Sequence, residues 1–240
     1  GGANIAIGYE ALDRATTNAT YNVAIGYQAM HGNIAANDVD FCIAIGGTAL
    51  EANLTNDASG SIAIGYNAMA KLTSGAGNIS IGLRSGQELT SAADNTIIGF
   101  EAAKALTNPN NVFIGSKAGH VATSAGGATV VGKGACSSGV MTGDNNTVIG
   151  TNAGLALTDG NDNVIIGTSA GDTLTGGEDN VIIGEAADVD HAQRNQCIII
   201  GQGLVCGIAS DNVVEIGNSS NSLIADMDNV SGTFAVSSDR

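Results

Sequence analysis

The chain has 240 residues, with 35 Gly, one Pro, no Trp, 43% hydrophobic residues and only 3% aromatic ones. Eight Lys plus Arg against 23 Asp plus Glu give a formal charge of −15, which opposes binding to nucleic acid and to anionic membrane surfaces. No apolar stretch approaches the roughly 20 residues that span a bilayer, and no charged start followed by an apolar run marks a signal peptide.

From the first residues onward a glycine preceded by an aliphatic residue keeps returning, at Gly8, Gly26, Gly46, Gly65, Gly82, Gly99, Gly115, Gly132, Gly150, Gly167, Gly184, Gly201 and Gly217. The intervals run from 16 to 20 residues, so each unit is too short to bury a core alone and must stack on its neighbours. Residues 1–217 read as one elongated repeat domain, and 218–240 as a segment that leaves the repeat. Scarce aromatics suit a narrow interior filled layer after layer by Ala, Val and Ile. The opening Gly1-Gly2-Ala3 reads as a cut through a longer protein.

Each glycine follows a predicted three-residue strand, beginning with Ile5-Ala6-Ile7, Val23-Ala24-Ile25 and Ile43-Ala44-Ile45 and running on to Val181-Ile182-Ile183. With a period of two, the outer members share one face and the middle member points the other way. The outer members are aliphatic almost throughout, which predicts that they line the interior of the coil. The middle column is also apolar: Ala6, Ala24, Ala44, Ala63, Ser80, Ile97, Phe113, Val130, Val148, Ile165, Ile182 and Ile199. A strand apolar on both faces predicts a partner packed outside the coil, the simplest being another copy of the chain, with this middle column as the interface. Glu215 breaks the column and marks where that contact ends or opens.

Asn stands four residues before the glycine at Asn4, Asn22, Asn78, Asn95, Asn111, Asn146, Asn163 and Asn180. Stacked amides at this position predict a ladder, an architectural role and not a catalytic one. Cys42 and Cys197 take the Asn position. Together with Cys136 and Cys206 they read as free thiols, without the spacing of a zinc site. Ala follows three residues after most of the glycines, and Leu-Thr recurs at Leu72-Thr73, Leu89-Thr90, Leu106-Thr107, Leu157-Thr158 and Leu174-Thr175. Leu is predicted to plug each coil, and the polar run after it to turn the chain back. Thirteen coils at the strand spacing of about 4.8 Å give a rod of about 60 Å.

Few residues invite chemistry. His31, His120 and His191 sit in unrelated turns, so no Ser/His/Asp set forms and no enzyme is expected. Thr175-Gly176-Gly177-Glu178-Asp179-Asn180 is similar to calcium-binding β-roll turns but lacks their strict nine-residue repeat, which favours plain turn chemistry and no cofactor. Tyr9, Tyr27, Tyr66 and Phe100 follow their glycines directly, an aromatic stripe that could stack on sugars but is better read as packing between coils or chains. Two turns depart from the repeat and are the receptor-binding candidates, with plain solvated insertions as the equal alternative. One runs from His31 to Phe41 with Asp38 and Asp40; the other runs from Asp188 to Arg194 with Asp190 and His191.

Asn22-Val23-Ala24-Ile25-Gly26-Tyr27-Gln28-Ala29 and its cognates resemble the head repeat of trimeric autotransporter adhesins, over roughly residues 4 to 217. That resemblance implies an all-β, left-handed parallel β-roll in a side-by-side homotrimer, with the middle strand residues facing the trimer axis. The chain departs from the adhesin pattern in its longer repeats and frequent Asn-Asn or Asp-Asn turns. No anchor or coiled-coil stalk lies within these residues. Gly232-Thr233-Phe234-Ala235-Val236-Ser237-Ser238-Asp239-Arg240 resembles the entry into the self-cleaving intramolecular chaperone domain of phage tail fibres and tailspikes. By that resemblance Ser237, Ser238 and Asp239 mark a cleavage scar, not an active site. The expectation is therefore a tail-fibre or tailspike shaft, assembled in the host cytoplasm and carried on the virion. Its expected partners are other tail proteins and a host cell-surface glycan or protein. A bacterial adhesin head is the alternative; a monomeric ice-binding solenoid is disfavoured by the single Thr column.

Overall fold

A β-strand that must lie directly on its predecessor leaves no room for a side chain where the backbones come closest. The repeat glycine occupies that place. Gly99 has φ +138°, and a Cβ there would lie 2.3 Å from the carbonyl oxygen of Gly115; at Gly115 the same atom would lie 2.5 Å from that of Gly132. Each glycine thus permits the approach of the next, which is why the residue returns in every coil.

The computed structural model describes residues 2–15, 19–34, 38–206 and 210–227. Over them the chain is an all-β parallel solenoid of about 12 turns. Its strands are β1 (Ile5–Ile7), β2 (Val23–Ile25), β3 (Ile43–Ile45), β4 (Ile62–Ile64), β5 (Ile79–Ile81), β6 (Thr96–Ile98) and β7 (Val112–Ile114). They continue as β8 (Thr129–Val131), β9 (Thr147–Ile149), β10 (Val164–Ile166), β11 (Val181–Ile183), β12 (Ile198–Ile200), β13 (Val213–Asn218) and β14 (Asn221–Asp226). β1 to β13 pair in chain order, all parallel and residue for residue, Ala6 opposite Ala24 and Ile165 opposite Ile182. β14 then folds back antiparallel on β13. The one helical element among the described residues is a 3-10 turn at Asn56–Ala58, and no helix is long and apolar enough to cross a membrane.

The turn after most of the repeat glycines includes left-handed backbone at non-glycine residues, which rarely adopt it. Gln28 (φ 51°) and Met30 (φ 53°) are one such pair. Bonds to the neighbouring coils hold them there, with Gln28 N–H donating to the Tyr9 carbonyl at 2.8 Å and Met30 N–H to the Ala49 carbonyl at 2.9 Å.

The strand faces are the reverse of the expectation. Ala24, Ala44, Ala63, Ser80, Ile97, Phe113, Val130, Val148, Ile165, Ile182 and Ile199 are all 0% exposed in the single chain, so the middle column lines the interior of the coil. Ala6 belongs to the same column but lies in the end coil, where β1 is exposed throughout. The outer members of β2 to β12 are half-buried or exposed and form the outside face. Volume explains the choice. Where the middle residue is Ala24, Ala44 or Ala63, the interior position six residues on is Met30, Leu50 or Met69, each fully buried. Where it is Phe113 or Ile165, that position is Gly119 or Gly171, and a Cβ on Gly119 would lie 2.2 Å from the Phe113 ring. Large and small residues trade places at constant interior volume. Glu215, 3% exposed, stands in this inner column opposite Ile199 and Ile224, so it marks no outer contact.

The Ala and Leu positions fill the rest of the core as expected; Ala29, Ala102, Ala170, Leu72, Leu106 and Leu174 are fully buried. The Asn column forms a ladder inside the coil. Asn163 Nδ2 donates to Asn146 Oδ1 at 3.0 Å and to the Gly177 carbonyl at 2.8 Å. Its own Oδ1 accepts from Asn180 N–H at 3.0 Å and Nδ2 at 2.9 Å. Cys42 and Cys197 sit within the ladder, each donating its N–H to the preceding Asn Oδ1, at 2.9 and 3.0 Å. A second ladder runs outside, in which Gly126, Asp144, Glu178 and Asn195 donate their N–H to the Oδ1 of Asp144, Asn161, Asn195 and Asp211 respectively.

Two substitutions test this construction by thermal unfolding. Gly99→Ala is expected to cost about 3–5 kcal/mol through backbone clash and strain. Gly60→Ala, at φ +76° with nothing within 4 Å, is expected to cost only about 1 kcal/mol; equal costs would refute the close-approach account. Asn163→Ala removes four buried hydrogen bonds and is expected to destabilise by about 2–4 kcal/mol, against a shift under about 0.5 kcal/mol if the ladder were idle.

Candidate attachment surface

The outside face of the strands is the most conspicuous surface feature. Val23, Ile43, Ile62 and Ile79 form one column and Ile25, Ile45, Ile64 and Ile81 the other, all half-buried. Farther along, the first column carries Thr96, Thr129 and Thr147 among its aliphatic residues, and both columns continue to Ile198 and Ile200. The twelve three-residue strands and the start of β13 cover roughly 60 Å by 10 Å, about 600 Å². That is the upper end of the largest apolar patch on an ordinary monomer, and such patches mark interaction sites.

Aromatic side chains flank this face. Tyr9, Tyr27, Tyr66 and Phe100 are exposed along the edge that follows the strands. Tyr21 and Phe41 are exposed along the edge that precedes them. Tyr21 escaped the sequence reading because it precedes the Asn instead of following the glycine, although Phe41 occupies the same place one coil later. Tyr9 stacks on Tyr27 with centroids 5.5 Å apart and planes 10° apart; Tyr21 stacks on Phe41 at 5.3 Å and 2°. In each pair the rings cover one another's faces and leave less ring face for a sugar. Gly47 stands between Tyr27 and Tyr66 and interrupts the stripe. Farther on, the Lys117 ammonium lies 6.0 Å from the centre of the Phe100 ring. Glu10 is held below the usual carboxylate range by a hydrogen bond from Gln28, and its contact with the Tyr9 hydroxyl pushes that phenol up.

The described residues of the two irregular turns are braced by their own and neighbouring coils, residues 35–37 of the first lying outside the described residues. His31 Nε2 lies 3.5 Å from Glu10 and 3.6 Å from Asp13. Asp40 accepts the Thr20 N–H at 2.6 Å and hydroxyl at 2.7 Å, and its own N–H donates to Ser59 Oγ at 3.1 Å. The Ser59 hydroxyl in turn donates to the Asp38 carbonyl at 3.4 Å. In the second turn Arg194 grips Asp190 with both arms, Nε to Oδ1 at 2.6 Å and Nη2 to Oδ2 at 2.9 Å. This pairing holds the Asp190 carboxyl below its ordinary range and raises the Arg194 guanidinium. His191 Nδ1 accepts the Gln193 N–H at 3.3 Å. The turns are not brought together, since β3 and β11 stand eight strands apart, roughly 40 Å along the rod.

Asp188 is 7% exposed and accepts the Val189 N–H at 2.8 Å and the Thr173 N–H at 3.2 Å. Burial pushes its carboxyl up to about 6, helped by a hydrogen bond with Asp172. All four cysteines are buried free thiols. Burial pushes the Cys136 thiol up to about 12, whereas a hydrogen bond from Cys206 brings Cys197 down to about 7. In the calcium-like turn, Glu178 Oε1 accepts from Asn161 Nδ2 at 3.0 Å and its N–H joins the outer ladder. Among the described residues no group of three or more His, Cys, Asp or Glu is placed to hold a metal ion. An open polar hollow of about 580 Å³, unforeseen from the sequence, lies beside the β13–β14 turn and is lined by Glu185, Gln202, Asn218 and Asn221. Ser237, Ser238 and Asp239 lie outside the described residues.

These features define a parallel β-solenoid with an unpaired apolar face and braced surface turns. No family model matches the chain, and no curated protein matches it in sequence.

Asp188 supplies a pH prediction. A carboxyl raised from 3.8 to about 6 binds its proton more tightly folded than unfolded. Its contribution to stability is therefore complete below pH 3.8 and is lost as the pH rises to about 6. Asp188→Asn is expected to remove that loss, unfolding at a higher temperature than the native chain at pH 7.5 and at a similar one near pH 4. Parallel melting curves across this range would show that burial of Asp188 is not felt.

Proposed function

We propose that the chain is the shaft of a homotrimeric phage tail fibre or tailspike, a rigid rod that holds attachment surfaces at a host cell. The observation that carries this reading is the outside strand face, aliphatic except at Thr96, Thr129 and Thr147, that runs the length of the rod. Three such faces turned toward a common axis would bury what one chain leaves exposed. The interface belongs to the outer columns, among them Ile25, Ile114 and Ile166, because the middle column is already enclosed. The resemblance of Gly232 to Arg240 to the start of a fibre chaperone favours the phage setting, with assembly in the host cytoplasm and a final place on the virion. The Asn-Val-Ala-Ile-Gly repeat supports a second reading, a bacterial adhesin head with the same construction.

Neither role needs catalysis, a cofactor, nucleic acid or insertion into a membrane. Attachment is to a glycan or protein of the host surface, and three weak sites on one rod gain avidity. At −15 for each chain, three carry −45, which keeps the rod soluble and repels it from bare anionic surfaces.

Light scattering is expected to give a native mass of about 71 kDa, three times the 23.7 kDa chain, persisting in mild detergent. Ile166→Asp, in the outer column, is expected to yield a folded monomer by circular dichroism, and Ile165→Asp, in the inner column, an unfolded chain. A native monomer would overturn the reading; a trimer that fails to bind host cells would leave the architecture and remove the attachment role.

A further inference from the structure

At β2 both edges of the apolar face are large, Tyr21 and Tyr27, but at the next three levels large and small residues alternate across it. Each coil places one residue five positions before its glycine, at the entering edge, and one directly after it, at the leaving edge. At the level of β3 these are Phe41 and Gly47; at β4, Gly60 and Tyr66; at β5, Gly77 and Leu83. Large stands against small three times in succession. Phe41, Tyr66 and Leu83 are all exposed, and a Cβ on Gly60 would have nothing within 4 Å, so Gly60 is an open notch. Within one chain the two edges cannot fill each other, because the strand between them alone spans about 10 Å.

A three-fold arrangement about an axis along the rod is heterologous, so the entering edge of each chain meets the leaving edge of its neighbour at the same level. Resting on the trimeric reading above, we propose that the edges interlock between copies at the level of β4, with Tyr66 seated in the notch of the partner's Gly60; Gly77 is already covered by Asp94 and Gly47 by Tyr66 of the same chain. The interlock belongs to the first half of the rod. At the level of β11 the corresponding residues are Asp179 and Glu185, two like charges that would repel across the seam. The interlock therefore sets the vertical register of the copies, a task the smooth aliphatic columns cannot perform.

The test is a double variant, Tyr21→Cys with Tyr27→Cys, which places one exposed thiol on each edge at the level of β2. A bond between the two within a chain is excluded, since disulfides need Cα atoms within about 7 Å. Mild copper-catalysed oxidation followed by a denaturing, non-reducing gel is expected to show covalent trimers of about 71 kDa, with neither single variant cross-linking. Dimers alone, or no cross-link in a protein whose native mass is trimeric, would overturn the interlock and leave the trimer standing. A monomeric native mass would overturn both. As a second readout, Gly60→Tyr is expected to raise the trimer dissociation constant at least tenfold, and Gly60→Tyr with Tyr66→Gly to restore most of the loss by exchanging knob and notch. No restoration would also overturn the interlock.

Discussion

The structure depends on one constraint, that each coil lies in strict register on the one before it. The glycine column enforces this by exclusion. Any Cβ there would collide with the carbonyl of the next glycine, as at Gly99 above Gly115. The Asn column enforces it by attraction, through amides such as Asn146, Asn163 and Asn180 bonding from coil to coil inside the wall. Parallel pairing residue for residue, the fixed left-handed turns and the straight outer columns follow from those two lines of residues. Because the register never slips, side chains at one repeat position form a line along the rod, and a line of Ile and Val becomes a face.

The repeat, the strands, the Asn ladder and the plugging Leu could all be read from the chain, since each reflects a backbone demand that few residue types meet. Which side of the strand faces inward could not be read from hydrophobicity, because both sides are apolar. The deciding signal was there in another form. Ala24 is paired with Met30 and Ala63 with Met69, whereas Phe113 is paired with Gly119 and Ile165 with Gly171. Residues that compensate in volume must share a space, and this pairing places the middle column inside. Tyr21 was missed for a related reason, since its meaning depends on the edge it occupies and not on its neighbours in sequence.

The candidate turns were harder to read still. His31, Asp40, Asp190 and Arg194 were recognisable as departures from the repeat, but their partners come from other coils or from the far side of a turn. Asp40 reaches Thr20 and Ser59, and the Arg194 carbonyl accepts from Asn180 Nδ2 at 2.6 Å. These charges are largely spent on shaping the loops. The described residues of these loops thus present a contour set by their bonds more than a set of free ions.

The amide column also has gaps. Asn4 bonds to Asn22 and Asn22 to Cys42, but Cys42 has no amide to pass to Ser61, nor Ser61 to Asn78. The line resumes from Asn78 through Asn111 to Ala128, breaks again, and runs from Asn146 to Cys197. At the gaps neighbouring coils keep their main-chain bonds, their packing and scattered side-chain bonds, such as Ser61 Oγ to the Gly75 carbonyl and Gly126 N–H to Asp144 Oδ1, but lose the buried amide link. Mechanically, this makes the rod three stiff segments separated by compliant joints. A load along its length concentrates at those joints, so the rod yields there first and each segment keeps its shape.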